Sequence, residues 1–167
     1  MTKYSIVIPF FNEEKNIYFV IKSLKKILKK IKHIEFILVN NGSTDNSKKV
    51  FNLNLKNENK KIFKYYEVKK NIGYGHGIKY GLSKAKGNFL GWTHADMQTN
   101  PTDVIKAIMI INKTRELNLF IKGKRKNRNK KEIIQTKAME YISSILLNVK
   151  IKDINAQPKI ITKTFYK

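Results

Sequence analysis

Cysteine is absent from this chain of 167 residues, which excludes a disulfide framework and any thiolate metal site. Long hydrophobic runs are absent too. Apolar residues make up 41% but fall in short stretches, and none approaches the ~18 consecutive residues that a membrane-spanning helix needs. Met1 runs almost at once into strand-like sequence, without the basic region and apolar core of a secretory signal, so a cytoplasmic location is expected. Internal repeats and low-complexity linkers are missing, and the length suits one domain spanning residues 1–167. Acidic residues are scarce, 12 against 35 basic ones, for a net charge of +23.

Such a field concentrates anions: nucleotides, nucleic acid or an anionic membrane surface. Lys, Asn and Ile are used heavily throughout, and many of the lysines equally fit plain solvated helix faces. No helix-turn-helix, zinc-finger or RNA-recognition signature accompanies the charge, and no nucleic-acid partner is expected.

Short apolar strands alternate with helical patterns. Tyr4 to Pro9 is a β-branched run. Asn12 can cap a helix with Glu13 and Glu14 in its first turn, and Ile17, Val20, Ile21, Leu24, Ile27, Leu28 and Ile31 then recur at helical spacing. Glu35 to Val39 reads as a second buried strand, stopped by Asn40, Asn41 and Gly42, after which Asp45 or Ser47 opens a short helix. Ile62 to Val68 is a third strand. A glycine-rich loop from Asn71 to Gly77 precedes a helix over Ile78 to Lys84, and Asn88 to Thr93 is a fourth strand. Asn100 and Pro101 start a helix through Ile111, Leu119 to Ile121 is a short strand, and Ile133 to Val149 is a long apolar helix. This alternation predicts an α/β fold: a doubly wound, mostly parallel sheet with helices on both faces. Ligands of such sheets bind at the carboxyl ends of the strands. The residues expected there are Phe11, Asn12 and Glu13, then Asn40 and Asn41, then His94, Asp96 and Gln98, then Lys124 and Arg125.

The segment Thr93 to Gln98 (THADMQ) leaves the fourth strand, so residues two apart share a face: His94 with Asp96, and Gln98 with both if the backbone stays extended. Imidazole, carboxylate and amide oxygen suit a divalent cation such as Mn²⁺ or Mg²⁺, with positions left open for phosphate oxygens. The same residues equally fit an ordinary polar exit from a strand. The alternating Gly73, Gly75 and Gly77 follow the third strand rather than the first, and their spacing is not that of a dinucleotide fingerprint. They suit a tight turn beside a bound nucleotide. Seven cations between Lys122 and Lys131 (Lys122, Lys124, Arg125, Lys126, Arg128, Lys130 and Lys131) stand directly before the apolar helix, a pattern suited to an anionic bilayer or to a plain solvated loop.

Taken together, SIVIPFFNEEKNI, FILVNNGSTDNS, NIGYGHGIKYGLSKAKGNFLGWTHADMQTNP, KGKR and DINAQPK resemble, in order and spacing, family 2 glycosyltransferases of the GT-A fold, especially the dolichyl- and polyprenyl-phosphate sugar transferases. The resemblance spans nearly the whole chain. It implies that Pro9, Phe11 and Glu13 lie around a nucleobase and ribose. It places Asn40 and Asn41 where the family usually has two aspartates, one of which reads the base. It implies that Asp96 is the principal metal ligand, with Gln98 able to coordinate and His94 in place of the usual first aspartate. Gly75 falls near the nucleotide, Arg125 near the diphosphate and Asp153 near the acceptor. Asp153 would act as base toward a sugar hydroxyl; an ionised polyprenyl phosphate would need none.

The expectation is an inverting, metal-dependent glycosyltransferase. It would move a sugar from a nucleotide-diphosphate sugar to a lipid phosphate or a cell-surface glycan, from the inner face of a membrane. The substitutions at Asn40, Asn41 and His94, with a chain shorter on its acceptor side than the family, leave a second expectation: a nucleotide-sugar-binding protein with weak or no transfer.

Overall fold

The computed structural model describes residues 2–114, 116, 118–125, 130–150 and 152–166. Lys126 and Arg128 of the basic segment lie outside the described residues, as does the side chain of Lys130.

Two continuous apolar runs make the centre of the sheet. β1 (Tyr4–Phe10) and β2 (Ile34–Asn40) are buried at all seven positions, as strands covered on both faces must be. They pair in parallel, Tyr4 opposite Ile34 through Phe10 opposite Asn40. β3 (Phe63–Glu67) adds in parallel to β2, and β4 (Phe89–Trp92) adds in parallel to the other side of β1. Two further strands complete the order β3-β2-β1-β4-β6-β5: β5 (Phe120–Lys122) and β6 (Lys159–Thr162). β6 runs antiparallel to both β4 and β5. It is absent from the sequence reading. Its short run, KIIT, follows Pro158 and was not separable from loop by periodicity.

Helices cover both faces. α1 (Ile17–Lys30) buries Ile17, Val20, Ile21, Leu24 and Ile27, and α4 (Asp103–Lys113) buries Val104, Ile105, Ile108 and Ile111. These form one core with Ile6, Ile8, Phe36 and Leu38, and with Phe51 of α2 (Ser47–Leu55). On the opposite face α3 (Tyr74–Ser83) packs Leu82 and Ile78 against Val7, Ile37, Val39 and Leu90. The helix α5 (Lys130–Leu146) is largely exposed, and a short α6 (Lys163–Tyr166) follows β6.

Two helix starts differ from expectation. Asn12 does not cap α1. It takes a left-handed conformation (φ 55°), its Oδ1 accepts from the Thr44 backbone N–H at 2.8 Å, and the helix begins five residues later at Ile17. Glu13 and Glu14 are thereby free of the first turn and bind the Asp45–Ser47 loop instead. α3 starts at Tyr74, so Gly75 and Gly77 belong to its first turn and not to a loop. Gly81 explains how closely α3 lies on the sheet: a Cβ there would press on Val7 and come within 3.0 Å of Val39 Cγ2. Gly81→Ala is expected to cost about 1–3 kcal/mol by overpacking. Equilibrium denaturation checks this, and an unchanged midpoint would mean that α3 has room to lift.

Candidate functional site

Going from β1 to β2 to β3 the chain moves one way across the sheet, then returns to place β4 on the far side of β1. Loops diverge at that switch and leave a crevice beyond the carboxyl ends of β1, β2 and β4. A cleft of about 240 Å³ lies there, lined by Pro9, Phe10, Phe11, Glu13, Asn41, Asn71, Tyr74, His94, Ala95 and Asp96. Five of the expected binding residues, Pro9, Phe11, Glu13, Asn41 and Asp96, thus meet in one place, and His94 joins them. Phe11 is 41% exposed at the rim, where a ring can lie against a flat ligand.

Asn40 and Asn41 are adjacent but do different things. Asn40 is 1% exposed and spends its amide within the fold: Oδ1 accepts from the Ser43 N–H (2.9 Å) and Nδ2 donates to the Tyr65 hydroxyl (3.0 Å). Asn41, equally buried, faces the cleft. Its Nδ2 donates to Asn71 Oδ1 (3.1 Å) and to the Gly73 carbonyl (3.0 Å). Both amide protons are therefore used, and Oδ1 is left buried without a partner among the described residues. Gly75 is not among the lining residues, and a Cβ at this position would meet nothing within 4 Å.

After β4, His94 and Asp96 do share a face: Nδ1 and Oδ2 are 4.0 Å apart. Tyr74 stacks on the imidazole at 4.8 Å and 17°, which fixes the ring plane. Burial pushes the His94 pKa down, the Asp96 charge opposes this, and Lys159 and Arg125 add to the depression. The ring is thus neutral near pH 7, with a lone pair to offer. The alternation that would align Gln98 with this pair breaks at Met97, which is left-handed (φ 59°), and the Gln98 N–H folds back onto Asp96 Oδ1 at 3.0 Å. Among the described residues no group of three or more His, Cys, Asp or Glu forms a closed metal site. One nitrogen and one oxygen donor at this separation fit a cation that takes its remaining ligands from a diphosphate and water.

A second, larger cleft of about 950 Å³ lies beyond that turn, lined by residues of α4, β5 and the 157–158 segment, Gln98, Lys122 and Arg125 among them. Arg125 is anchored by Asp153. Its backbone N–H reaches Oδ2 at 2.9 Å, its Nε reaches Oδ1 at 2.7 Å, and its second terminal nitrogen bonds Thr136 Oγ1 at 3.0 Å. Burial alone would raise the Asp153 pKa, but the Arg125 backbone and guanidinium bonds outweigh it and hold the carboxyl below its ordinary value. Tyr74 and Asn71 went unnoticed as lining residues in the sequence, Tyr74 hidden among glycines.

Residues 5–165 match the sequence profile described as Glycosyl transferase family 2. The chain is 31% identical over 145 residues to an uncharacterized glycosyltransferase, YkcC, of Bacillus subtilis, covering 83% of this chain and 42% of that protein. It is 28% identical over 109 residues to the undecaprenyl-phosphate 4-deoxy-4-formamido-L-arabinose transferase of Proteus mirabilis, covering 65% of this chain and 33% of the relative. The chain thus spans less than half the length of these relatives. Among solved structures, the mannosyltransferase PcManGT of Pyrobaculum calidifontis, in complex with GDP-Man and Mn²⁺, superposes with a TM-score of 0.70 at 13% identity, over 97% of this chain and 45% of that one.

Proposed function

Because the chain belongs to glycosyl transferase family 2 and has the GT-A fold, we propose that it moves a sugar, with inversion, from a nucleotide-diphosphate sugar to a polyprenyl phosphate. The observation that carries this reading is the convergence of Pro9, Phe11, Asn41, His94 and Asp96 on one cleft at the switch point. The nucleobase lies against Phe11. Asn41 Oδ1, kept as a pure acceptor by Asn71 and Gly73, takes an N–H from the base as a carboxylate would. His94 and Asp96 would hold a divalent cation, Mn²⁺ or Mg²⁺, whose charge would neutralise the diphosphate, while Gln98, turned aside at Met97, would take no part. Asp153 holds the guanidinium of Arg125 in a fixed pose. Arg125 then stabilises the diphosphate oxygen that receives the electron pair as the bond to the anomeric carbon breaks. The acceptor oxygen attacks that carbon from the opposite face.

The state of Asp153 favours a phosphate acceptor over a sugar hydroxyl. A carboxylate with both oxygens held by Arg125 and a depressed pKa is a poor base. An ionised phosphate requires no base. A cell-surface glycan is the second acceptor class. Attachment at the inner face of a membrane fits the exposed cations Lys124 and Lys131 and the exposed Ile134, Tyr141, Ile142, Ile145 and Leu146 of α5. Among the described residues no helix is long and apolar enough to cross a membrane.

A thermal-shift panel of nucleoside diphosphates and their sugars, with and without Mn²⁺, tests the donor reading, since a ligand of the folded state raises the midpoint by mass action. Arg125→Ala is expected to weaken nucleoside diphosphate binding by on the order of tenfold while hardly touching nucleoside binding, as a charge-assisted bond to phosphate is lost. Equal losses for both ligands would place Arg125 in loop structure alone.

A further inference from the structure

Trp92, Lys159 and Lys122 stand in one row across β4, β6 and β5, each directly opposite the next. Residues directly opposite across paired strands project to the same face, so two ammonium-bearing side chains leave the sheet side by side. Like charges so placed repel, and folding alone gives no reason to bring them together. Asp153 lies near both and its charge acts on them, but its two oxygens are bonded to Arg125 and accept from neither ammonium. Lys122 is fixed by donating to the backbone carbonyls of Lys152 and Asp153. Lys159 is half-buried over the Trp92 ring, 5.7 Å from its centroid, and among the described residues its ammonium has no hydrogen-bond or ion-pair partner. Burial, and then the Lys122 charge, push the Lys159 pKa down. Its charged form is therefore held at a cost that a bound anion would offset.

We propose that Lys159 and Lys122 form an anion site for the phosphate of the acceptor, adjoining the donor cleft and distinct from it. The inference rests on the glycosyltransferase reading for the word acceptor. The anion site itself rests on the row of cations. The order of strands separates the two anions. The base cleft lies beyond β1 and β2, the His94–Asp96 pair beyond β4, and β6 and β5 come next in the same direction. Successive strands are about 4.8 Å apart, so the row lies one to two strand spacings from the His94–Asp96 pair, on the side away from the base cleft. A phosphate held there presents an ionised oxygen with no proton to remove, which matches the poor basicity of Asp153.

The test uses the full chain with saturating UDP or GDP, whichever binds, and measures by calorimetry the affinity for inorganic phosphate and for geranyl phosphate, a water-soluble isoprenyl monophosphate. Both are expected to bind the nucleotide complex. Lys159→Met is expected to weaken both by about tenfold or more, the loss of one charge-assisted bond, while nucleotide affinity is kept. Lys159→Arg should retain most of the binding. Geranyl phosphate binding more tightly than inorganic phosphate identifies a lipid source, and equal affinities identify a site for the phosphate alone. If Lys159→Met does not fold, as judged by its thermal midpoint, Lys122→Met is read the same way. Displacement of phosphate by the nucleotide would overturn the proposal, because the row would then belong to the donor diphosphate. Unchanged phosphate affinity in the variants would overturn it too. Should no nucleotide bind the parent, the donor reading fails, and phosphate binding that depends on Lys159 is decided separately.

Discussion

Glu35→Leu is expected to destabilise the protein by about 3–5 kcal/mol, the range for removing one partner of a buried ion pair. Glu35 is 1% exposed in the middle of the parallel sheet. Its carboxylate accepts from Ser5 Oγ (2.6 Å) and the Lys86 N–H (2.8 Å) and pairs with Lys64 from β3. Ser5 Oγ in turn accepts from the Gly87 N–H at 2.8 Å, so one carboxylate ties three strands to the turn before β4. Leucine would leave the ammonium, the hydroxyl and an amide without an acceptor. Glu35→Gln should cost less, since its amide oxygen still accepts from Ser5 and Lys86. Burial alone would raise the Glu35 pKa, but Lys64, Ser5 and the Lys86 amide outweigh it and hold the value below the ordinary one. A depressed carboxyl stabilises the fold fully above its unfolded pKa, ~4.3 for glutamate, and the contribution is lost as pH falls through the folded value. Urea unfolding at pH 7 and at descending pH checks both points. An unshifted midpoint for the leucine variant, or a glutamine variant that loses stability in acid as steeply as the parent, would count against the pair.

Asp96→Ala should leave the fold intact and remove the effect of Mn²⁺ on nucleotide binding. Asp96 lies past the end of β4, its side chain is 32% exposed, and its Oδ1 holds only the local turn at Gln98. Losing the one carboxylate of the His94–Asp96 pair leaves an imidazole alone, too little to hold a hard cation on a diphosphate. Transfer is expected to fall by on the order of 100-fold or more, the scale for losing preorganised charge stabilisation in a transition state. His94→Asp should improve the use of Mg²⁺, because a second carboxylate suits a harder ion than imidazole does. Nucleotide binding by Asp96→Ala that still requires Mn²⁺ would show that the cation is held by other residues.

How much of this was legible in the sequence varies with the range of the forces involved. β1 and β2 were plain because seven consecutive buried positions leave an apolar run, and α1 because its buried positions recur at helical spacing. β6 was hidden because four residues carry too little periodicity. Its strand character comes from the edges that β4 and β5 offer it. Asn12 has the composition of a helix cap, yet its side chain is claimed by Thr44, 32 residues away. The pairing of His94 with Asp96 follows from strand alternation. The turning aside of Gln98 does not, because one left-handed residue, Met97, resets the direction.

The order of apolar runs and their spacing determined by themselves the α/β class, and the segments that resemble family 2 glycosyltransferases determined the family. Period and composition are local quantities, and they survive in one dimension. Only the tertiary structure decided what each candidate could do. Asn40 and Asn41 are alike in sequence, but the partners that Tyr65, Ser43, Asn71 and Gly73 supply make the first a structural strut and leave the second lining the cleft, its Oδ1 buried without a partner among the described residues. Asp153 and Arg125 are 28 residues apart, and their contact turns a would-be base into an anchor. Lys122 and Lys159 become one site only when β6 slots between β4 and β5 and sets them opposite each other. Charge, protonation and hydrogen-bond capacity depend on neighbours in space, and the sheet order that supplies those neighbours is not a local property of the chain.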